Sequence, residues 1–163
     1  MKRYSSAARL ALAALVLLVC AGPAAAGERV PFRGNLDGVI TNTLLEFPLL
    51  FVDIAGTGNA SLLGQFTVSI PHLVDRSNST AVGTFLFTAA NGDMLTADFT
   101  RQGTPTSTPG VASIVETATI TGGTGRFAGA TGSFTLTRMY DMAARTTTGS
   151  FSGTISSPGA AKP

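Results

Sequence analysis

The sequence predicts an all-β protein, a single eight-stranded antiparallel barrel over residues 27–156. An export leader precedes it at 1–26 and a disordered tail follows at 157–163. Three observations predict the barrel. Apolar residues recur at period 2, and after residue 26 no 3.6-residue period lasts three turns. The apolar runs are joined by short turns rich in Gly, Asn and Pro, which make neighbouring strands antiparallel. Gly-x-Phe recurs at Gly64/Phe66, Gly83/Phe85, Gly125/Phe127, Gly132/Phe134 and Gly149/Phe151. Residues two apart in a strand share a face, so each glycine leaves room beside a ring and lets the strand bend toward closure.

The leader has the order of a Sec-type signal peptide. Lys2, Arg3 and Arg9 form a basic start, Leu10 to Cys20 is an uncharged apolar run, and Pro23 precedes Ala24-Ala25-Ala26. The run is too short for a spanning helix, and cleavage is expected near Ala26/Gly27, giving a secreted or periplasmic protein. Val19 stands where a lipoprotein leader places a small residue ahead of its cysteine, so Cys20 is not expected to be lipidated. No further transmembrane segment is expected.

Strands are expected in order along the chain. "FRGNLDGVI" alternates Phe32, Leu36 and Ile40 against Arg33, Asn35 and Asp37. Further strands are expected at 49–57, 60–70 and 79–90. Asn91-Gly92, the clearest hairpin turn, leads into 93–102. "QGTPTSTPG" at 102–110 is expected to be a loop, followed by strands near 111–121, 131–141 and 145–156. An outer-membrane barrel would carry aromatic girdles, whereas beyond the leader there is no Trp and a single Tyr, Tyr140.

The glycine-rich stretch between the sixth and seventh strands matches the letters of a dinucleotide loop at Gly123-Thr124-Gly125-Arg126-Phe127-Ala128. Such a loop must open a helix, and "GATGSFTLTRM" is β-branched and alternating instead. Gly122, Gly123, Gly125, Phe127, Gly129 and Gly132 are therefore read as a structural turn. Centring that turn on Phe127 sets Ile120 opposite Phe134, Ala118 opposite Leu136 and Ile114 opposite Tyr140. The same register sets Glu116 opposite Arg138, two charges on an otherwise apolar face.

Charge and composition exclude several chemistries. Losing Lys2, Arg3 and Arg9 with the leader takes the 11 basic residues to eight against nine acidic ones, so the net charge moves from +2 to −1. No nucleic-acid partner is expected from that balance. The one cysteine leaves with the leader and His72 is the one histidine, so neither a metal nor any other cofactor is expected. His72 follows Pro71 at a strand end and is expected at the surface.

"ITGGTGRFAGATGSFTLT", with "GTGNASLLGQFTVS" at 56–69 and "FTAANGDMLTADFTRQGT" at 87–104, resembles a family of small exported bacterial proteins of mostly unassigned function. Their fold is similar to the allene oxide cyclase and dirigent proteins of plants, whose calycin-like barrels carry a comparable GGTG-x-F-x-x-A-x-G turn. The resemblance spans about 32–156 and implies fold more than activity. Those relatives often have a histidine where this chain has Leu62, and no catalytic residue carries over from the plant enzymes.

Glu116, Arg138 and Tyr140 are the candidate ligand-binding residues of a barrel interior. The functions left open are a module binding a small apolar molecule, a structural module with a filled barrel, and a cofactor-independent cyclase or isomerase. A homo-oligomer is compatible with each. Interior volume separates the structural module from the other two. An ionisable group within reach of the ligand separates the enzyme from the binder.

Overall fold

The computed structural model describes residues 28–156; the expected leader and tail lie outside the described residues. Nine strands follow one another: β1 (Val30–Leu44), β2 (Leu49–Ala60), β3 (Gly64–Ser69), β4 (His72–Asp75), β5 (Thr80–Ala89), β6 (Met94–Pro105), β7 (Val111–Gly123), β8 (Thr131–Asp141) and β9 (Thr146–Ser156). Every pairing is antiparallel. β3 and β4 both lie between β2 and β5, so together they fill one place in the wall. β1 pairs with both β2 and β9, which closes an eight-place barrel.

β1 and β2 run past their expected ends, to Leu44 and Ala60, and two further boundaries differ from expectation. The strand expected over 60–70 starts at Gly64, because Ser61–Leu63 turn, with Leu62 at φ 68° and the Leu63 N–H donating to the Ser61 carbonyl. The chain then jogs at Ile70-Pro71, where proline has no N–H for the ladder, and resumes as β4. The loop expected from residue 102 begins only after Pro105. Gln102, Gly103, Thr104 and Pro105 continue β6 opposite Val115, Ile114, Ser113 and Ala112.

The interior is built by strand alternation. Phe32, Leu36 and Ile40 of β1, Phe85 and Phe87 of β5, and Phe134 and Leu136 of β8 are buried on one face. Phe32, Phe66, Phe85, Phe87, Phe134 and Phe151 form a continuous ring cluster, with centroids 5.0 to 6.4 Å apart. Glycine makes room for these rings across strands. Gly34 stands opposite Phe151, Gly58 opposite Phe66, and Gly153 opposite Phe134. A Cβ on Gly34 would lie 2.7 Å from the tip of the Phe151 ring. The ring that needs each of these glycines is its cross-strand neighbour; at the five Gly-x-Phe positions a Cβ would meet other groups before the phenylalanine two residues on, or open space at Gly64.

The glycine-rich stretch forms a compact closure at one end. Its single 3-10 turn, Gly125–Phe127, drives the fully buried Phe127 ring into the barrel. Gly122, Gly125, Gly129 and Gly132 all take positive φ, the region glycine enters without steric cost. Gly123 lies so close to the Met94 carbonyl and Phe127 that it too excludes a side chain. β8 follows at Thr131 and no helix does.

This turn also corrects the expected register. Ala118 faces Phe134, Glu116 faces Leu136, Ile114 faces Arg138 and Ala112 faces Tyr140. Pairing is therefore centred on Arg126, and the partner of each β7 residue is displaced by two. The tight turn, with the Ala130 N–H donating to the Phe127 carbonyl, draws Gly132 up to Ile120. A displacement of two keeps every side chain on its face, so Glu116 and Arg138 both point inward as diagonal neighbours.

Candidate functional site

The opposite end of the barrel, its mouth, is ringed by the connections 45–48, 76–79, 106–110 and 142–145. Below the mouth the apolar interior is interrupted by a polar layer. Four strands supply its ionisable groups: His72 from β4, Arg101 from β6, Glu116 from β7 and Arg138 from β8; Thr147 of β9 joins them. Glycine again provides the space. Gly83 stands opposite His72 and Gly149 opposite Arg138, and a Cβ on either would collide with the Cβ of its partner.

Glu116 and Arg138 form a two-pronged ion pair. Arg138 Nη2 donates to Glu116 Oε1 at 2.7 Å and Nε donates to Oε2 at 3.1 Å. Arg138 Nη1 donates to Thr147 Oγ1 at 3.2 Å, and that hydroxyl donates to the Met139 carbonyl at 2.7 Å. Both charged side chains are almost wholly shielded, at 0% and 1% exposure. Buried charges are tolerated in a barrel core when paired with this geometry.

His72 is buried, not at the surface as its position after proline suggested. The jog at Ile70-Pro71 returns it to the inward face shared with Ile70 and Val74. Its Nδ1 lies 2.8 Å from the Ile70 carbonyl, which can only accept, so Nδ1 carries the proton. Nε2 is then free to accept from Arg101 Nη1 at 3.4 Å. Burial lowers its pKa to about 4; the Ile70 hydrogen bond opposes that shift, and the Arg101 and Arg138 charges add to it. His72 is neutral at physiological pH.

Arg101 stands directly opposite Glu116 across β6 and β7, yet both carboxylate oxygens are engaged by Arg138. Its Nε is buried without a partner in the protein. Burial, and then the Arg138 charge, push its pKa below the usual guanidinium value, while Glu116 pulls the other way.

A cavity of about 340 Å³ opens at the mouth above this layer. Arg101 and Tyr140 line it, with Val74, Ile114, Pro105 and Pro109 among the apolar walls. The three residues expected to line a ligand site are therefore divided. Tyr140 reaches the cavity, whereas Glu116 and Arg138 lie beneath it, sealed by packing. The middle of the barrel is filled by phenylalanine rings, and the cavity lies at its mouth. Arg101 and His72 were missed as site residues. The signal for both was the alternation itself, Leu95-Ala97-Phe99-Arg101 and Ile70-His72-Val74.

A larger groove, about 1220 Å³, runs over the outer wall past Val39, Thr57, Leu86 and Met139; His72, Arg101, Glu116 and Arg138 do not line it. Among the described residues no three His, Cys, Asp or Glu side chains gather to hold a metal, and no helix is long and apolar enough to cross a membrane. No family model matches this chain, and no curated protein or solved structure matches it.

Proposed function

We propose that the protein is a small exported ligand-binding module that takes an apolar molecule into the mouth of its barrel. One observation carries this reading: the mouth cavity of about 340 Å³, walled by Val74, Pro105, Pro109 and Ile114 around a few polar groups. Its size and mixed lining are those of a small-molecule site. The β1–β2 hairpin adds exposed Leu44, Leu45 and Phe47 at the same end, an apolar approach for a poorly soluble ligand. Export is supported by the leader-like order of residues 1–26 and by the resemblance to exported bacterial barrels of the allene oxide cyclase and dirigent type.

The two other functions draw less support. A purely structural barrel has no use for an open mouth. A cyclase or isomerase needs a general base or acid at the ligand; Glu116 is sealed beneath the cavity with both oxygens held by Arg138, which leaves Tyr140 as the acid–base side chain on the cavity wall beside the Arg101 guanidinium.

The neutral fluorophore phenylnaphthylamine tests the binding reading. Gly103 borders the cavity, and a Cβ there would meet the flexible Ile114 Cδ1 at 3.3 Å, so Gly103→Leu fills the mouth without breaking the sheet. The fluorophore should bind saturably to the wild type and at least about tenfold more weakly to Gly103→Leu. Equal binding by the two proteins would place the ligand elsewhere.

A further inference from the structure

The charges of the buried polar layer do not balance. Arg101 and Arg138 bring two positive charges into the polar layer, Glu116 brings one negative charge, and His72 is neutral. The layer therefore carries one surplus positive charge, and it sits on Arg101, the member that faces the cavity. Two arginines, Arg101 and Arg76, line that cavity, and no acidic side chain among the described residues does. Two rim carboxylates are occupied within their own turns. Asp75 accepts from the Ser77 N–H and hydroxyl, and Asp141 accepts from the N–H groups of Ala143 and Ala144. A partly desolvated guanidinium with a buried, unpartnered Nε is costly unless a counter-charge reaches it.

We propose that the ligand of the mouth cavity is a compact aromatic monocarboxylate, with its carboxylate on Arg101 and its ring between Pro105, Pro109 and Tyr140. The inference rests on the ligand-binding reading above and names the ligand class. A single negative charge matches the surplus of the buried layer, since Arg76 is exposed to solvent at the rim; a phosphate monoester near its dianionic form would leave a buried excess of the opposite sign. The planar guanidinium fork suits a carboxylate, which accepts two parallel N–H bonds. Pro105, Pro109 and Tyr140 line the cavity, and short prolyl rings with one aromatic side chain suit a compact ring. Arg138 is not available for this role, because its three bonded nitrogens already serve Glu116 and Thr147.

Competition against phenylnaphthylamine tests the inference with naphthoate and naphthamide, which share a shape and differ in charge. The wild type should prefer naphthoate by about ten- to a hundredfold, the worth of a charge-assisted hydrogen bond. Arg101→Gln should bring the two to similar affinity without weakening naphthamide, and Arg101→Lys should keep a reduced preference. Equal affinities in the wild type, read without any variant, would overturn the carboxylate assignment and leave the pocket standing. A preference that survives Arg101→Gln would overturn the role of Arg101. If neither compound displaces the fluorophore, the mouth does not take ligands of this class and the assignment falls. If the fluorophore itself does not bind, the ligand-binding reading falls with it.

Discussion

Glu116 stands between two arginines, and the two ways of breaking its ion pair should not cost the same. Glu116→Gln removes the sole negative charge of the polar layer. Arg138 loses two charge-assisted bonds, each worth about 1.5–3 kcal/mol, and two guanidinium groups are left without an anion. Uncompensated charge of this kind costs about 3–5 kcal/mol, and the second arginine puts this variant at the upper end. Arg138→Met is milder. Arg101 already faces Glu116 across the ladder and can turn its guanidinium onto the vacated carboxylate, while Thr147 keeps its bond to the Met139 carbonyl. A cost of about 2 kcal/mol is expected, from lost packing and from one redirected bond. The double variant should cost less than the sum of the two. Urea unfolding at neutral pH measures all three, against a total stability of about 5–15 kcal/mol for a domain of this size. Equal costs for the two single variants would refute the substitution of Arg101 for Arg138. Costs below about 1 kcal/mol would show that the pair behaves as a solvated one.

His72 gives the barrel a pH dependence of definite sign. Its folded pKa of about 4 lies below the ordinary 6.5, so the unfolded chain binds the extra proton first as pH falls. Its contribution is complete above pH 6.5, is lost between 6.5 and 4, and amounts to roughly 3 kcal/mol. The difference in unfolding free energy between wild type and His72→Gln, followed from pH 7 to 4, should shrink over that window; a constant difference would mean that His72 does not titrate there. Gly153→Ala would set a Cβ 2.5 Å from Phe134 Cα and into the Ser133 carbonyl, both backbone groups that cannot yield. It should lower stability by about 2–3 kcal/mol, and a melting temperature within a degree of the wild type would show that the β8–β9 spacing is looser than described.

The barrel was legible because alternation at period 2 survives in almost every strand, and because Asn91-Gly92 does turn the chain, with Gly92 at φ 87°. The inward direction of Glu116 and Arg138 was legible for the same reason. Their register was not. A hairpin closed by seven positions outside its strands has several centres that keep apolar residues face to face, and the 3-10 turn that decides among them depends on where the Phe127 ring packs. The break of β3 from β4 at Pro71 hid His72, since proline reads as a strand end when the strand in fact resumes one residue later. Arg101 was hidden differently. Its alternation pointed inward, but a lone arginine beside a turn-rich segment reads as solvated until the strand is seen to continue to Pro105.

β1 is hydrogen-bonded on one side to the next strand in the chain and on the other to the last. Val39 meets Thr146 and Val30 meets Ile155, partners more than a hundred positions apart. Every other seam joins strands that are neighbours in sequence or separated only by the short β3 or β4. Local hairpins can therefore zip early, while the final seam waits for a long-range encounter and sets the folding rate. Until β9 arrives, β1 and β8 each present a bare row of N–H and C=O groups, the kind of edge that recruits other chains. The eleven residues of β9 cover both rows at once. Loss of that one terminal segment would turn a wall with no edges into an open sheet with two.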